Sequence, residues 1–285
     1  MRRMPPLRRL LPLLFVACVP ALAGPRLALV SVLDGDAVVL RDDARLAAAE
    51  GLALQAGDIL VTGAQTRLLR VEYPNGLAVE LGPQTQALLE PPLEHETVYL
   101  LEGWAKLNLP KTAAATLGGP GLEIAMGAGA AVVALRPGAD MVFAESGTLT
   151  VQSRPAGAFA VPLAAGQMLA LGAPGAKPEV SPRPTPALVQ AMPRAFMDSL
   201  PSRAAAFQGK DIVPKALGPI AWADAQPWID AEPALRRAFV KRWRTLAKGA
   251  DFKRALVAGM KSHPEWEPVL FPPPPPRPPS DATHR

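Results

Sequence analysis

The sequence of 285 residues is poor in the side chains that build metal centres and disulfide frameworks. It contains one cysteine and three histidines, and aromatic residues make up 5% of it. A single cysteine excludes a disulfide framework and a multi-cysteine zinc site. Three histidines, at His95, His263 and His284, leave little for a histidine-rich metal centre. We therefore predict no metal site and no cofactor.

Charged residues are also sparse, at 19%, whereas hydrophobic residues make up 49% of the chain. This composition argues against a wholly disordered chain. The length allows one large domain or two modest ones with a real core. The formal net charge is +5 and the isoelectric point is about 9.6. Such basicity points to a nucleic-acid partner only where the cations belong to the folded protein.

Residues 1–23 have the pattern of a secretory signal. Four arginines precede an apolar run of about ten residues, and the segment ends in Ala21-Leu22-Ala23. This pattern is typical of export, and the run is too short to span a bilayer, which takes roughly 20 residues. We predict cleavage after Ala23 and a periplasmic location. The alternative is a lipobox that ends at Cys18, in which case this cysteine is lipidated.

Cleavage removes four arginines and the single cysteine, so the mature chain has a net charge of +1 and no thiol. The remaining charge is unevenly divided. Residues 24–184 contain 11 basic and 16 acidic residues, and residues 185–285 contain 15 basic and 9 acidic residues. An exported protein rarely meets nucleic acid, so we predict no nucleic-acid partner.

Residues 24–173 have the pattern of an antiparallel β-sandwich or jelly-roll-like domain. Short apolar runs recur at roughly 8–12-residue spacing between turns that contain glycine or proline, as in sandwiches and barrels. The strongest signal is a hairpin around Pro74-Asn75-Gly76, which is flanked by alternating apolar and polar residues. Residues 118–131, with five glycines, are predicted to form a loop or irregular edge. The predicted strands cover residues 27–32, 37–40, 59–62, 68–73, 77–81, 98–101, 131–135, 141–144, 148–152 and 168–171.

A proline-rich linker, residues 174–186, separates the β half from a helical half. The helical half covers residues 187–270 and contains four of the five tryptophans. A proline-rich, exposed tail is predicted for residues 271–285. The predicted helices lie within residues 186–200 and at residues 222–229, 233–246 and 251–261.

The predicted helix that begins at Pro233 carries a concentration of cations. An anionic surface such as phospholipid headgroups or lipopolysaccharide would attract them. The alternatives are a solvated face, or a face docked on the acidic β half of the same chain. The cations predicted to contact an anionic surface are Arg236, Arg237, Lys241, Arg242, Arg244 and Lys248.

The sequence contains no recognisable catalytic constellation. His95 lies between Glu94 and Glu96, but adjacent residues on a strand point to opposite sides, and no second histidine is near. Carboxylate pairs are the remaining option, either Glu94 with Glu96 or Glu72 with Glu80. Glu72 and Glu80 flank the predicted hairpin, an arrangement in which they can face one another. We predict that the protein is not an enzyme, and an envelope hydrolase that uses such a pair is the alternative.

The β half, over about residues 27–171, resembles a FecR-type domain. The resemblance begins with the run Leu54-Gln55-Ala56-Gly57-Asp58-Ile59-Leu60-Val61-Thr62-Gly63 and continues through the hairpin and three later turns. These motifs mainly mark turns, with glycines where φ is positive, so we assign them structural roles. The matching positions are Gly57, Asp58, Thr62, Gly63, Asn75, Gly76, Gly103, Gly147, Gly166 and Gln167.

The best-known FecR-type proteins pass a siderophore signal from an outer-membrane transporter to an extracytoplasmic-function sigma factor. Those regulators have a sigma-binding segment and a transmembrane helix ahead of the β domain, and we find neither pattern in this sequence. The resemblance therefore implies a periplasmic binding, scaffold or signalling module of a Gram-negative envelope. We expect its partner to be an envelope protein or a glycan. Contact with a membrane surface stays open, without a spanning segment.

Overall fold

The computed structural model of the chain describes residues 26–90, 97–154, 157–172 and 176–272. The predicted signal with Cys18, the motif around His95 and most of the predicted tail lie outside the described residues. Strands account for 41% of the described residues and helices for 22%. These proportions confirm the predicted fold class, which is mainly β with a small helical region near the C-terminus.

Sixteen strands are found in the described residues, and hydrogen bonds connect them into one mixed sheet. Their bounds are β1 Ala28–Asp34, β2 Ala37–Arg41, β3 Ala44–Ala47, β4 Ala53–Leu54, β5 Ile59–Thr62, β6 Leu68–Glu72, β7 Ala78–Leu81, β8 Gln86–Leu89, β9 Val98–Leu109, β10 Ala115–Gly119, β11 Leu122–Leu135, β12 Asp140–Ser153, β13 Ala160–Ala164, β14 Met168–Leu171, β15 Glu179–Ser181 and β16 Ala216–Pro219. The strand pairs found in the described residues are antiparallel except that of β9 with β10.

Strand β9 connects two groups of strands and changes partners along its length. Its first half pairs with β8 and β10, and its second half pairs with β7 and β11. The change occurs at Gly103, where φ is 100° and a Cβ atom would lie 2.5 Å from the Cα of Thr85. Glycine accommodates both the conformation and the close approach. Leu89 of β8 and Val79 of β7 belong to the same buried core, so the two groups of strands enclose one interior.

The glycine-rich residues 118–131 do not form the predicted loop. Most of them belong to β11, which pairs with β12 along both halves of its length. Gly129 lies opposite Gly147, and a Cβ atom on Gly147 would be 2.1 Å from the carbonyl oxygen of Ala128. The glycines therefore allow two strand backbones to approach closely at a bulge, whereas the composition alone suggested a break in the strand.

The predicted hairpin is confirmed in β6 and β7. Pro74, Asn75 and Gly76 form a three-residue loop, closed by a hydrogen bond of 2.9 Å from the N–H of Tyr73 to the carbonyl oxygen of Leu77. The side-chain oxygen of Asn75 accepts a hydrogen bond of 3.1 Å from the N–H of Leu77. Gly76 has φ of 85°, the left-handed conformation that ends this type of loop.

The residues after β14 form short elements that return to the sheet. Strand β15 lies within the predicted linker and pairs with β14, and β16 pairs with β3. The helices are α1 Pro186–Ala191, α2 Trp222–Ile229, α3 Pro233–Arg242, α4 Ala250–Ala258 and α5 Glu267–Leu270. Single 3-10 turns cover Arg194–Met197, Ala204–Phe207, Leu246–Lys248 and Pro264–Trp266. Helix α2 has the predicted bounds, and α3 begins at Pro233 as predicted, although it ends earlier.

The close approach at Gly147 leads to a test of the bulge. Replacement of Gly147 by Ala is expected to lower the free energy of unfolding by about 2–4 kcal/mol. The added methyl group would overlap the carbonyl oxygen of Ala128, and the residue would have to keep φ of 75°. Urea unfolding followed by circular dichroism measures the change.

Gly121 provides the matched control for this substitution. Its φ is 73°, but a Cβ atom there would meet no described atom within 4 Å. Replacement of Gly121 by Ala should therefore cost only the conformational term, about 1 kcal/mol. Equal losses for the two variants would contradict a role for the close approach.

Candidate functional site

Gly57 and Asp58, at the start of the FecR-like pattern, form a turn that binds an arginine. Asp58 is 1% exposed, and its carboxylate accepts hydrogen bonds from Nε and Nη2 of Arg41 at 2.8 and 2.6 Å and from the N–H of Gln55 at 2.9 Å. The hydrogen bond with Asp58 raises the pKa of Arg41 above its ordinary value. The carboxylate thus ties the turn to β2, which is a structural role.

Thr62 and Gly63 lie at a cluster of hydroxyl groups where β5, β8 and β9 meet. The hydroxyl of Thr62 donates to the carbonyl oxygen of Gly82 at 2.6 Å and accepts from the N–H of Thr85 at 2.9 Å. The hydroxyl of Thr85 in turn accepts from the N–H of Trp104 at 2.9 Å. These side chains supply the hydrogen bonds that buried backbone groups need where the strands diverge.

The later positions of the pattern lie at other turns. Gly166 and Gln167 form the turn between β13 and β14, where the side-chain oxygen of Gln167 accepts a hydrogen bond of 2.8 Å from the N–H of Ala164. The N–H of Gly166 donates to the carbonyl oxygen of Ala144 at 2.7 Å. The ten positions are therefore distributed over separate turns, a strand bend and a bulge, and they do not converge on one pocket.

The helical region packs on the sheet through an aromatic cluster. The rings of Phe239 and Trp243 are stacked with their centroids 4.5 Å apart. The indole N–H of Trp243 donates to the carbonyl oxygen of Asp42 at 3.0 Å, and that of Trp228 donates to the side-chain oxygen of Gln86 at 2.9 Å. These two buried indole groups thus keep a hydrogen-bond partner while their rings fill the interface. The sheet contributes Leu40, Ile59, Leu88 and Tyr99 to this cluster.

Two of the six cations predicted to contact an anionic surface bind the chain itself. The guanidinium of Arg242 donates to the carbonyl oxygens of Gly57 at 2.5 Å and Leu40 at 2.9 Å. Burial lowers the pKa of Arg242 below its ordinary value. Arg236 forms an ion pair of 2.8 Å with Glu265. Arg242 therefore contacts the β half, as the docking alternative expects, whereas Arg236 is paired within the helical region.

The other four cations are exposed. Their spacing of four, three and four residues is that of one face of a helix, along α3 and the turn that follows it. We refer to these four residues as the basic stripe: Arg237, Lys241, Arg244 and Lys248.

A row of ionisable side chains lies across β6, β7 and β9. Arg70 is directly opposite Glu80 in the sheet, and Glu80 is directly opposite Lys106. These three residues and Glu72 are between 2% and 6% exposed. The ammonium group of Lys106 also forms an ion pair of 2.8 Å with the more exposed Glu145. We refer to these five residues as the charge row.

Residues 186–207, which we call the strap, cover the charge row. The guanidinium of Arg70 donates to the carbonyl oxygen of Leu200 at 2.7 Å, and the ammonium of Lys106 donates to that of Phe196 at 2.5 Å. Phe196 is 1% exposed and packs in an apolar cluster beside the row. The two buried cations are therefore bound by main-chain oxygens of the strap as well as by carboxylates.

Glu72, a negatively charged residue of the row, also binds the strap. Its carboxylate accepts hydrogen bonds from the hydroxyl of Ser202 at 2.5 Å and from the N–H groups of Arg203 at 3.1 Å and Ala204 at 3.3 Å. Burial pushes the pKa of Glu72 upward, but the hydrogen bonds from Ser202 and Arg203 outweigh it, so the pKa lies below its ordinary value. Glu72 is therefore held as an ionised anchor.

The environment of Glu80 contrasts with that of Glu72, because it provides few hydrogen-bond donors to the carboxylate. One of its oxygens is 3.7 Å from Nη1 of Arg70, and the other finds no hydrogen-bond partner in the part of the chain that the structure describes. Burial raises the pKa of Glu80 above its ordinary value, although Arg70 and Lys106 act against the rise. Glu72 and Glu80 do not stand directly opposite one another, because the register of the three-residue loop places Arg70 across from Glu80.

Sequence reasoning identified the two carboxylates but missed Arg70 and Lys106, the cations that lie beside them. The hairpin register carried a signal for Arg70, since closing the loop at Tyr73 and Leu77 places Arg70 opposite Glu80. Lys106 and the strap had no comparable signal, because they come from distant parts of the chain and the strap is bound largely through its backbone.

Within the described ranges, no group of three or more histidine, cysteine, aspartate or glutamate side chains is placed to hold a metal ion. None of the described helices combines the length and the apolar character needed to cross a bilayer.

The contrast between the two carboxylates predicts opposite pH responses. Because Glu72 has a lowered pKa, its stabilising effect is complete above the ordinary glutamate pKa and is lost as the pH falls through the folded value. Because Glu80 has a raised pKa, its effect is most favourable in acid and is lost as the pH rises through the folded value.

Unfolding free energies of the wild type, Glu72→Gln and Glu80→Gln across pH 3–7 measure these responses. The advantage of the wild type over Glu72→Gln should grow as the pH rises, and its advantage over Glu80→Gln should shrink. Each variant serves as the control for the other, since both remove one carboxylate charge from the row. Parallel pH profiles would contradict the assignment.

Comparisons with known proteins identify no family for the chain. No protein-family model matches it, and no curated protein matches it. Two crystal structures of a "putative anti-sigma factor" from Parabacteroides distasonis ATCC 8503 are similar to 43% of this chain, at 14% and 13% sequence identity and a TM-score of 0.37. The match spans 58% of that protein's chain. The FecR-type interpretation stays a prediction.

Proposed function

We propose that the chain is an exported, non-enzymatic FecR-type module that binds or scaffolds another component of a Gram-negative envelope. The observation that carries this proposal is that the side chains of the charge row bind one another and the strap. The carboxylates considered for catalysis, Glu72 and Glu80, are buried and take part in ion pairs with Arg70 beneath the strap. The secretory pattern of residues 1–23 and the FecR-like turns support the proposed compartment and class.

The way in which both C-terminal segments attach to the sheet supports a scaffold role. The strap binds the charge row, and the helical region binds the turn at Gly57 through Arg242. Each attachment buries cations against backbone oxygens. The β half thus serves as a body on which two further segments are presented, and a protein or glycan of the envelope is the partner we expect.

Capture from the envelope tests this function. The full chain with an affinity tag after Arg285 is expressed in a Gram-negative host, crosslinked in cells and purified from the osmotic-shock fraction. We expect a mature N-terminus at Gly24 and specific recovery of an envelope protein or retention on an envelope glycan. A chain that lacks residues 1–23 is the matched control and should recover neither.

Three results would contradict parts of this proposal. Repeated capture without a specific protein or glycan would remove the binding role. An N-terminus at Cys18 would assign a lipid anchor. Turnover of an envelope substrate that Glu72→Gln abolishes would favour the hydrolase.

The basic stripe favours a second candidate function, attachment to an anionic membrane surface. Four exposed cations at helical spacing lie along α3 and the turn that follows it, and each basic residue near such a surface contributes about 1 kcal/mol. Because Arg236 and Arg242 are bound internally, only the four residues of the stripe, out of the six predicted cations, are free to contribute to the attraction.

Vesicle sedimentation measures this attraction. Replacement of Arg237 and Lys241 by Glu should lower binding to phosphatidylglycerol-containing vesicles by about tenfold or more, and 0.5 M salt should release the wild type. The control variant Lys111→Glu/Lys177→Glu makes the same change in net charge at two exposed positions outside the helical half. Equal loss in both variants, or binding that salt does not affect, would exclude attachment through the stripe.

A further inference from the structure

Among the residues that the structure describes, Phe271 is the one aromatic residue with an exposed side chain. It is 58% exposed, whereas the other described aromatic side chains are buried or half-buried. The N–H of Phe271 donates to the carbonyl oxygen of Glu267 at 2.8 Å, which holds this residue at the end of α5. The neighbouring Leu270 is buried in the aromatic cluster. Helix α5 is therefore anchored in the helical region, while a large apolar ring next to it faces the solvent.

Helix α5 lies at the C-terminal end of the basic stripe. It contacts the turn Leu246–Lys248, and Lys248 is the last cation of the stripe. Leu270 of α5 and Ala247 of the turn belong to the same buried cluster, so packing fixes the two elements against each other. Because Phe271 directly follows α5, its ring and the end of the stripe belong to the same part of the surface.

Exposed cations together with an exposed aromatic ring are the two features by which a peripheral protein binds an anionic membrane. The cations attract the headgroups, and the ring is favourable at the boundary between headgroups and acyl chains. The local charge is not uniformly positive, because Glu267 of α5 is also exposed and opposes the attraction. The four cations of the basic stripe outnumber this anion.

We propose that Phe271 inserts into an anionic membrane surface to which the basic stripe attaches the chain. The proposal rests on the second candidate function above, attachment through the stripe, and adds the residue that penetrates the surface. The strength of such binding depends on the buried apolar area as well as on the electrostatic attraction. One ring is not sufficient without the cations, so high salt still releases the chain.

Truncation of the ring tests its contribution. The mature chain, residues 24–285, is mixed with vesicles of phosphatidylglycerol and phosphatidylcholine in about 0.1 M salt, and sedimentation gives the partition coefficient. Phe271→Ala should lower this coefficient by about tenfold, because the variant buries much less apolar area in the bilayer. Phe271→Trp should retain or raise it, since tryptophan is enriched at membrane interfaces.

Met197 provides the matched control for this truncation. Its side chain is 57% exposed, nearly the same fraction as that of Phe271, but it belongs to the strap. Met197→Ala should leave the partition coefficient unchanged. Neither substitution alters the net charge, so a difference between the two variants cannot be electrostatic. Circular dichroism and thermal melting confirm that each variant is folded.

A fluorescent label measures insertion directly. The single cysteine of the sequence, Cys18, lies in the predicted signal, so residues 24–285 contain no cysteine. Phe271→Cys and Met197→Cys therefore each carry one thiol, which is labelled with the dye NBD. On vesicles, the label at position 271 should gain intensity, shift to shorter wavelength and become protected from iodide in the water. The label at position 197 should show none of these changes.

The outcomes separate this proposal from the function on which it rests. If Arg237→Glu/Lys241→Glu lowers vesicle binding but Phe271→Ala does not, attachment is electrostatic and the insertion is overturned. An equal loss in Phe271→Ala and Met197→Ala, or a vesicle-bound label at position 271 that iodide still reaches, would also overturn it. Absence of wild-type binding would remove both the attachment and the insertion. A dimer in light scattering that Phe271→Ala converts to a monomer would assign the ring to a second copy instead.

Discussion

A charge moved from water into a protein interior destabilises the fold unless opposite charges and hydrogen bonds compensate it, and this constraint determines where the strap lies. Arg70 and Lys106 need more acceptors than Glu80 and Glu145 provide, and Glu72 needs donors. The strap supplies carbonyl oxygens to the two cations and N–H and hydroxyl groups to the carboxylate. Its attachment leads the chain to the edge of the sheet, where β16 pairs with β3 and the helical region begins.

The turn at Gly57 and Asp58 has a comparable part in attaching the helical region. The Asp58 carboxylate binds Arg41 from within the β half, and the carbonyl oxygen of Gly57 binds Arg242 from α3. Both arginines are bound at one turn, with their charges kept close to acceptors. The stacked rings of Phe239 and Trp243 then exclude water from the surrounding interface. A turn that the sequence marks only by Gly57 and Asp58 thus connects two parts of the molecule.

Local turn chemistry made the hairpin at Asn75 and the start of α3 at Pro233 predictable, because each depends on a few adjacent residues. The glycine-rich first part of β11 was not predicted, although its last residues, 131–135, were, since the glycines permit a close crossing with β12 that no neighbouring residue specifies. Helical spacing placed Arg236 and Arg242 with the other cations, but only the tertiary contacts show that these two face inward. Of the charge row, the sequence allowed prediction of the carboxylates Glu72 and Glu80 but not of the contacts with the strap. Its carboxylates flank the hairpin, whereas its contacts with the strap involve backbone atoms that every residue has.

Recognition of the strap through its backbone has a consequence for the evolution of the sequence. Substitutions at the exposed positions between Met197 and Leu200 leave the carbonyl groups in place, so selection on the contact acts weakly on the identity of those residues. We expect this segment to diverge quickly among descendants of the same ancestor, while its route across the sheet is retained. Related chains would then share a strap in three dimensions that sequence alignment fails to reveal.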